Sequence, residues 1–293
     1  MLPRDLSSAH HLLTDLFNWP KSKEEWNQYA LSRDQVDFFN EYGYLGGVRM
    51  VDQDQIEKLG KELGSLSDPK HPAHDLFYEF HSNESADPNT VLFHALGAWR
   101  IGPAFHDVLW NPRFLMAAYQ LLGNKSVRFW HDQLFFKPAK KGGVVAWHQD
   151  YSYWTRTKPL AHLTCWCSLD DSKIENGCLQ YVPGSHRWGL LDKPELAGSL
   201  MGIMDYLNAD QQAQFQPKHV ETRAGEAIFH HPLTLHGSGE NKSNHPRRAF
   251  VINVFADGVL SDSDEPLLTG VNAVPKGTKM SGQFFPLLFG GPD

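Results

Sequence analysis

A series of short strand-like segments occupies most of the chain from Lys125 onward. β-Branched and aromatic residues fill these segments, and turn sequences such as Glu-Asn-Gly at 175–177 and Pro-Gly-Ser at 183–185 separate them. No helical pattern recurs between them at the spacing of a parallel βαβ fold. This part of the chain therefore predicts a mainly β fold, an antiparallel sandwich or barrel with flanking helices. The predicted strands are 127–136, 142–149, 162–169, 177–182, 218–222, 226–230, 234–236 and 248–255.

Helix signals lie mostly before the strands, where capping residues precede apolar-periodic segments. Three helices are predicted to begin after Ser32, Asp52 and Asn111, and glycines at 43 and 123 end the first and the third. We expect one domain over residues 1–293. Its predicted parts are a helical flank at 1–124 with a loop-like stretch at 66–95, a β core at 125–256 with helix signals at 194–215, and a C-terminal extension at 257–293.

The charge balance narrows the class of partner. The chain carries 27 Lys and Arg against 34 Asp and Glu, a net charge of −7, and its basic residues are scattered. This argues against nucleic acid or an anionic membrane as the main partner. No apolar run approaches the roughly 20 residues that span a bilayer. A small-molecule partner is therefore expected, while the oligomeric state is not predicted.

Cysteine usage predicts the compartment. The chain has three cysteines, Cys165, Cys167 and Cys178, without the spacing of a zinc site. A small odd number favours reduced thiols over a disulfide framework. Together with an N-terminus that lacks a basic and apolar signal pattern, this predicts a cytoplasmic protein.

The strand at 142–149 ends in His148-Gln149-Asp150. Side chains repeat with period two along a strand, so His148 and Asp150 are expected to point the same way. An imidazole and a carboxylate on one face supply two ligands of a metal site. A second histidine would complete the 2-His-1-carboxylate triad of non-haem Fe(II) oxygenases, which leaves coordination positions open.

The segment 225–241 offers three histidines for the remaining position: His230, His231 and His236. His236 is favoured because it precedes a glycine-rich turn and because an arginine follows it at a suitable distance. His230 or His231 stays the competing assignment. In every case the fold, rather than local sequence, must bring the third ligand to His148.

Arg247 opens the apolar strand that follows His236. An antiparallel return through 237–246 is expected to lay it beside the strand of His236. Its planar guanidinium fits a carboxylate in two-point contact. By strand alternation only one of the neighbours Arg247 and Arg248 faces inward, and the other is a solvated edge residue.

These motifs together resemble the phytanoyl-CoA dioxygenase family of Fe(II)- and 2-oxoglutarate-dependent oxygenases. The similarity covers roughly residues 32–256, and the order and spacing of the motifs make the combination specific. The motifs that carry it are Gln35–Leu45, His148-Gln-Asp150, Glu175-Asn-Gly-Cys-Leu, Val182-Pro-Gly-Ser-His186, His236-Gly-Ser-Gly and Arg247.

The resemblance implies a double-stranded β-helix, or jelly-roll, core with Fe(II) at one open end. By position, His148, Asp150 and His236 match the iron ligands. The residues that match the family's 2-oxoglutarate contacts are Arg247 for the distal carboxylate, Ser238 beside it, Trp166 in the pocket wall and Gln133 on a neighbouring strand. The implied cofactors are Fe(II), 2-oxoglutarate as co-substrate and O2, with ascorbate as a supporting reductant.

The implied reaction is hydroxylation of a C–H bond of a small organic molecule, with release of succinate and CO2. Halogenating relatives replace the carboxylate ligand by a small residue, so Asp150 favours hydroxylation. Two alternatives stay open, namely a cupin-type metal-dependent isomerase or hydrolase and a non-catalytic metal-binding jelly roll. Candidate substrate-lining residues are Tyr151, Tyr153, Trp154, Phe135, His231 and Phe255.

Overall fold

Two antiparallel sheets form the centre of the computed structural model, which describes residues 4–192 and 200–292. The strands are β1 Tyr44–Arg49, β2 Glu79–His81, β3 Phe93–Leu96, β4 Val127–Lys137, β5 Val145–His148, β6 Thr157–Lys158, β7 His162–Ser168, β8 Leu179–Tyr181, β9 Lys218–Val220, β10 Glu226–His230, β11 His236–Ser238, β12 Arg247–Ala256, β13 Leu260–Ser261 and β14 Leu287–Phe289. The larger sheet has the order β1-β10-β7-β12-β4-β3-β2, with β14 also paired to β4, and the smaller sheet has the order β5-β11-β8-β9. Strands β6 and β13 form a separate pair. The mainly β fold predicted from the sequence is confirmed.

The helices precede the β core or lie between its strands. They are α1 Lys23–Asn27, α2 Arg33–Tyr42, α3 Gln53–Leu66, α4 Pro103–Asp107, α5 Pro112–Leu121 and α6 Ala209–Gln214. The predicted capping boxes are present at α2 and α3, where the N-cap side chain accepts from the N3 amide and the N3 side chain accepts in return. Gly43 ends α2 at φ +80°, a conformation that favours glycine. Three of the predicted helix starts are thereby confirmed.

Helix α5 packs on the outer face of the larger sheet and places the main apolar core there. Phe114 on the helix stacks on Phe229 of β10, with ring centroids 6.4 Å apart, and both rings are fully buried. Burying a phenylalanine side chain stabilises a fold by about 1.5–3 kcal/mol. Since this core lies outside the sheet, the opposite face of the larger sheet can carry polar residues toward the smaller sheet.

Three sequence predictions differ from the structure. The stretch 66–95, predicted as loop, contributes β2 and most of β3 to the larger sheet, because β3 pairs with β4 and β2 pairs with β3. Strand β11 begins at His236 instead of ending there. Of the helix signals at 194–215, the structure has α6 at Ala209–Gln214, and residues 194–199 lie outside the described residues.

None of the helices in the described ranges has the length and apolarity that a membrane crossing requires.

Candidate metal and co-substrate site

Strand pairing brings the two distant histidines together. His148 at the end of β5 and His236 at the start of β11 are direct Cα partners in the antiparallel pair, and their ring centroids lie 4.2 Å apart. Asp150 follows at the first position of a short 3₁₀ turn, Asp150–Tyr153, instead of on the strand itself. The ligand atoms of these three residues all lie within 4.8 Å of one another. His148 and Asp150 therefore point toward the same place, as strand alternation predicted, although the 3₁₀ turn and not the strand positions Asp150.

Backbone hydrogen bonds fix the orientation of both imidazoles. The Nδ1 atom of His148 lies 2.8 Å from Ala146 O, and that of His236 lies 2.9 Å from Thr234 O. A carbonyl only accepts, so Nδ1 carries the proton and Nε2 presents a lone pair. Burial and the neighbouring imidazoles hold the pKa of His236 well below its ordinary value, which keeps that ring neutral. Neutral imidazoles oriented through their second nitrogen are typical metal ligands.

The two oxygens of Asp150 have different surroundings. Oδ2 accepts from Thr164 Oγ1 at 2.6 Å and from His230 Nε2 at 2.9 Å. Oδ1 lies 3.4 Å from His148 Nε2 and 3.6 Å from His236 Nε2. Burial alone would raise the pKa of Asp150, yet its histidine surroundings, in which His230 donates a hydrogen bond to Oδ2, outweigh it and hold that pKa well below its ordinary value. An anionic oxygen therefore faces two imidazole lone pairs, a donor set that fits Fe(II).

His230, the competing ligand in the sequence, supports the carboxylate. Its Nε2 reaches Asp150 Oδ2, and its Nδ1 lies 3.0 Å from the hydroxyl of Tyr181. This chain of hydrogen bonds from tyrosine through imidazole to carboxylate holds the Oδ2 side of Asp150 in place. No sequence signal distinguished this role from metal ligation, because the choice depends on which strand faces Asp150.

Two buried basic side chains lie about the Ser238 hydroxyl. Arg247 Nη1 donates to Ser238 Oγ at 3.4 Å and to Gly177 O, while Lys137 Nζ donates to Ser238 Oγ and, at 2.6 Å, to Gly239 O. Neither side chain has an acidic group within ion-pair distance in the described part of the chain, and Arg247 Nε is buried without a partner there. Burial lowers the pKa of Arg247 to about 10, so this side chain stays charged at neutral pH, whereas burial and the Arg247 charge hold the pKa of Lys137 well below its ordinary value. The buried charge of Arg247 predicts an anionic ligand.

Lys137 is a residue that sequence reasoning missed, since the predicted strand 127–136 ends one residue before it. It is fully buried at the end of β4. Gln133, Phe135 and Lys137 lie two residues apart on that strand, so they share the face that looks toward the smaller sheet. Extending the predicted strand by one residue would have found it.

The prediction for the two neighbouring arginines is confirmed in one respect and wrong in another. Arg247 is buried, whereas Arg248 faces outward and forms a two-point ion pair with Asp170 at 2.6 and 2.9 Å. However, Arg247 does not lie on a strand paired with that of His236. β12 belongs to the larger sheet and β11 to the smaller one, because the segment between them crosses from one sheet to the other.

A cavity of about 370 Å³ lies between the sheets and joins these groups. His148, Asp150 and His236 line it at one point, and Arg247 and Ser238 at another. The two further predicted co-substrate residues, Trp166 and Gln133, also belong to its wall. The guanidinium carbon of Arg247 lies 5.3 Å from the centroid of the Trp166 ring, within cation–π range.

Of the predicted substrate-lining residues, Phe135, Tyr153 and Trp154 line the cavity. The other three lie elsewhere among the described residues. Tyr151 turns its hydroxyl to Thr157 O, since it is the next residue of the 3₁₀ turn and points away from Asp150. His231 and Phe255 point away from the cavity. His231 packs on the His186 ring, and Phe255 packs into the main apolar core.

Comparison with known proteins identifies the family of the chain. A sequence model described as Phytanoyl-CoA dioxygenase (PhyH) matches residues 39–249, well over half of the 293 residues. Phytanoyl-CoA dioxygenase of Arabidopsis thaliana is 27% identical over 260 residues, which cover 78% of this chain and 90% of that protein. Peroxisomal phytanoyl-CoA dioxygenase of Bos taurus is 33% identical over 137 residues, which cover 43% of this chain and 39% of that protein.

Among solved structures, similarity extends over nearly the whole fold. The non-heme alpha ketoglutarate dependent carbocyclase SnoK from nogalamycin biosynthesis matches with a TM-score of 0.73 at 22% identity, covering 92% of this chain and 100% of that one. The expected jelly-roll core is confirmed by this likeness and by the two-sheet topology.

Proposed function

Because the chain belongs to the phytanoyl-CoA dioxygenase family, we propose that His148, Asp150 and His236 are the iron ligands of this Fe(II)- and 2-oxoglutarate-dependent dioxygenase. The observation that carries the assignment is the set of three ligand atoms within 4.8 Å, each on a side chain whose other polar atom is hydrogen-bonded. Three protein ligands on one side leave positions open for a co-substrate.

Arg247 is proposed to bind the distal carboxylate of 2-oxoglutarate. Both Arg247 and Lys137 donate to the oxygen of Ser238, so the hydroxyl hydrogen of Ser238 is free to donate to an anion. Trp166 and Gln133 form the wall beside them. The charge and the donors at this end of the cavity match a carboxylate in two-point contact.

The reaction proposed is hydroxylation of a C–H bond in a small organic molecule. Bound Fe(II) supplies oxidising chemistry that consumes O2 and converts 2-oxoglutarate into succinate and CO2. The chain's own residues orient the reactants and exclude water, since Phe135, Tyr153 and Trp154 form an aromatic wall in the same cavity as the triad. A carboxylate at position 150 supports hydroxylation over halogenation.

The purified chain supplied with Fe(II), ascorbate, 2-oxoglutarate and O2 is expected to form succinate even without a substrate. Succinate is measured against an anaerobic reaction as the control. Succinate at the anaerobic level, with iron bound at one equivalent, would contradict the proposed activity. Turnover of a carbonyl or ester substrate with Zn(II) in place of iron would instead favour a cupin-type isomerase or hydrolase.

His230 is a positioning residue, and its removal is expected to weaken iron binding. His230→Phe leaves Asp150 Oδ2 with one hydrogen bond instead of two. Loss of such an outer partner typically costs 10–100-fold in metal affinity, and we expect about tenfold or more here. The dissociation constant of Fe(II) is measured by equilibrium dialysis under nitrogen.

Two variants control that experiment. His230→Gln retains an N–H donor in reach of Asp150 and is expected to recover most of the affinity. His231→Phe changes the adjacent residue, which packs on His186 outside the cavity, and should leave iron affinity unchanged. Equal iron affinity in His230→Phe and His231→Phe would refute the positioning role.

We propose that residues 1–293 fold as one domain. Strands from all three predicted parts share the larger sheet: β1 from the flank pairs with β10 of the core, and β14 from the extension pairs with β4. Shared hydrogen-bond ladders couple the parts during unfolding. A single transition in both circular dichroism and tryptophan fluorescence is expected, and two separated transitions would refute it.

The cytoplasm is the proposed location. Cys165, Cys167 and Cys178 are all buried free thiols, as is usual in reducing compartments. The bovine relative is named as peroxisomal, so the peroxisome is the competing location. Fractionation of cells that express the chain distinguishes the two.

A further inference from the structure

The cavity has ends of opposite charge. Arg247 lies at the co-substrate end, with Lys137 behind Ser238. Elsewhere in the wall the acidic residues besides Asp150 are Glu79 and Glu84. The remaining cation of the wall, Arg156, is exposed and donates to the carbonyl of Pro266. The space left for a substrate is therefore bordered by carboxylates.

Glu84 is held in place instead of extending into solvent. Its carboxylate lies 2.7 Å from His94 Nδ1, and its backbone N–H donates to Leu92 O at 2.8 Å. The adjacent Asn83 clamps the same loop, since its side chain accepts from Leu92 N and donates to Thr90 O. Burial acts to raise the pKa of Glu84, but the hydrogen bond from His94 outweighs it and lowers that pKa, so the carboxylate is ionised. A fixed anion thus lies in the cavity wall.

Two buried polar atoms of the same wall have no protein partner in the described residues: His94 Nε2 and Trp130 Nε1. The two side chains are 5% and 3% exposed, and the His94 ring stacks on Phe135 with centroids 4.5 Å apart. Buried polar side chains nearly always have a partner, so these atoms point to a polar ligand. Trp130 Nε1 is a donor only, so it needs an acceptor, and the nitrogen that can meet a donating group is His94 Nε2. Because His94 Nδ1 donates to Glu84, Nε2 is the ring atom left to face a ligand.

Glu84, Tyr153 and the metal triad line the same cavity. The Tyr153 ring faces His148 edge-on at 6.0 Å between centroids, so it lies next to the triad. A molecule anchored at Glu84 would extend past Tyr153 toward the triad.

We propose that Glu84 and His94 bind a protonated amine of the substrate, with the carbon skeleton of the molecule lying between Phe135, Tyr153 and Trp154. The substrate class is thus a small amine with an apolar or aromatic body. An ammonium donates to the Glu84 carboxylate and to His94 Nε2, and aromatic faces attract cations. A carboxylate or phosphate at the same place would meet the Glu84 charge. This inference rests on the proposed function, since it names the substrate of that site.

Three matched probes test the class: 3-phenylpropylamine, 3-phenylpropan-1-ol and 3-phenylpropanoate. The full chain with Fe(II) and 2-oxoglutarate is titrated with each by calorimetry at pH 7.5 under nitrogen, so that no turnover occurs. The amine is expected to bind about tenfold or more tighter than the alcohol, and the acid weakest. In Glu84→Gln the preference for the amine over the alcohol should fall to about twofold or less. Glu57→Gln removes the same charge from an exposed position on α3 and should keep the preference.

The order in which the wild-type protein binds the three probes can by itself overturn the proposal, whether or not Glu84→Gln folds. Equal binding of the three probes, tighter binding of the acid or no measurable binding of the amine would each refute it. A preference that survives in Glu84→Gln, with a native circular dichroism spectrum, would refute the role of that residue. Succinate formation without substrate, measured on the same preparation, reports the proposed function separately.

Discussion

Replacing Arg247 by alanine is expected to raise KM for 2-oxoglutarate about 100-fold, equivalent to about 2.7 kcal/mol. The side chain is buried, carries its charge at neutral pH and has no acidic partner among the described residues. Its contact with a dicarboxylate is thus made away from water, where charge-assisted hydrogen bonds are strong. Initial rates of succinate formation against 2-oxoglutarate concentration give KM, and kcat at saturation should change far less.

The adjacent residue provides the matched control. Arg248→Ala removes the same group one position away, where it pairs with Asp170 at the protein surface. A surface ion pair of this kind contributes up to about 1 kcal/mol to the free energy of unfolding. The KM of Arg248→Ala for 2-oxoglutarate should stay within about twofold of the wild-type value. Arg247→Lys, which keeps the charge but loses the planar fork, should fall between the two. A similar KM in Arg247→Ala and Arg248→Ala would contradict the assignment of the carboxylate site.

Asp150→Ala is expected to abolish stoichiometric iron binding and to reduce succinate formation to the anaerobic level. The substitution removes the anionic ligand and leaves two neutral imidazoles, while His230 and Thr164 lose their shared acceptor. Loss of an outer partner alone costs up to about 100-fold in affinity, so loss of a ligand should cost more than about 100-fold. Iron bound after equilibrium dialysis gives the affinity directly.

The control for this variant is Asp210→Ala, which removes an exposed carboxylate from the first turn of α6. It should bind iron at one equivalent and form succinate at the normal rate. Circular dichroism at low temperature establishes that both variants are folded. Full iron occupancy in a folded Asp150→Ala protein would rule out Asp150 as a ligand.

Local sequence signals predicted those parts of the fold that depend on short-range chemistry. The capping boxes at Ser32 and Asp52 are present, because an N-cap interaction is made within four residues. The strands that carry His148 and Arg247 were placed within a few residues. By contrast, β2 and β3 were missed, since these short segments become strands only through pairing, β3 with β4 and β2 with β3. Tertiary context overrides local preference at such edges.

Some residues of the candidate site were likewise predictable from the sequence, and others were not. Motif order placed His148, Asp150 and His236 together, and the structure brings their ligand atoms into one cluster. The supporting groups were not predicted: His230 was weighed as a ligand, and Lys137 was given no role in the site. Their roles depend on which sheet each strand joins, and no local pattern encodes that choice.

The buried guanidinium of Arg247 has a consequence for the stability of the protein. A charge enclosed in an interior weakens the folded state, because it has lost hydration without gaining a counter-ion. A dicarboxylate that neutralises it would therefore act as a structural element as well as a reactant. At a concentration of 100 times its Kd, such a ligand adds about 2.7 kcal/mol to the free energy of unfolding. Without the co-substrate, the protein is expected to unfold and to be degraded more readily.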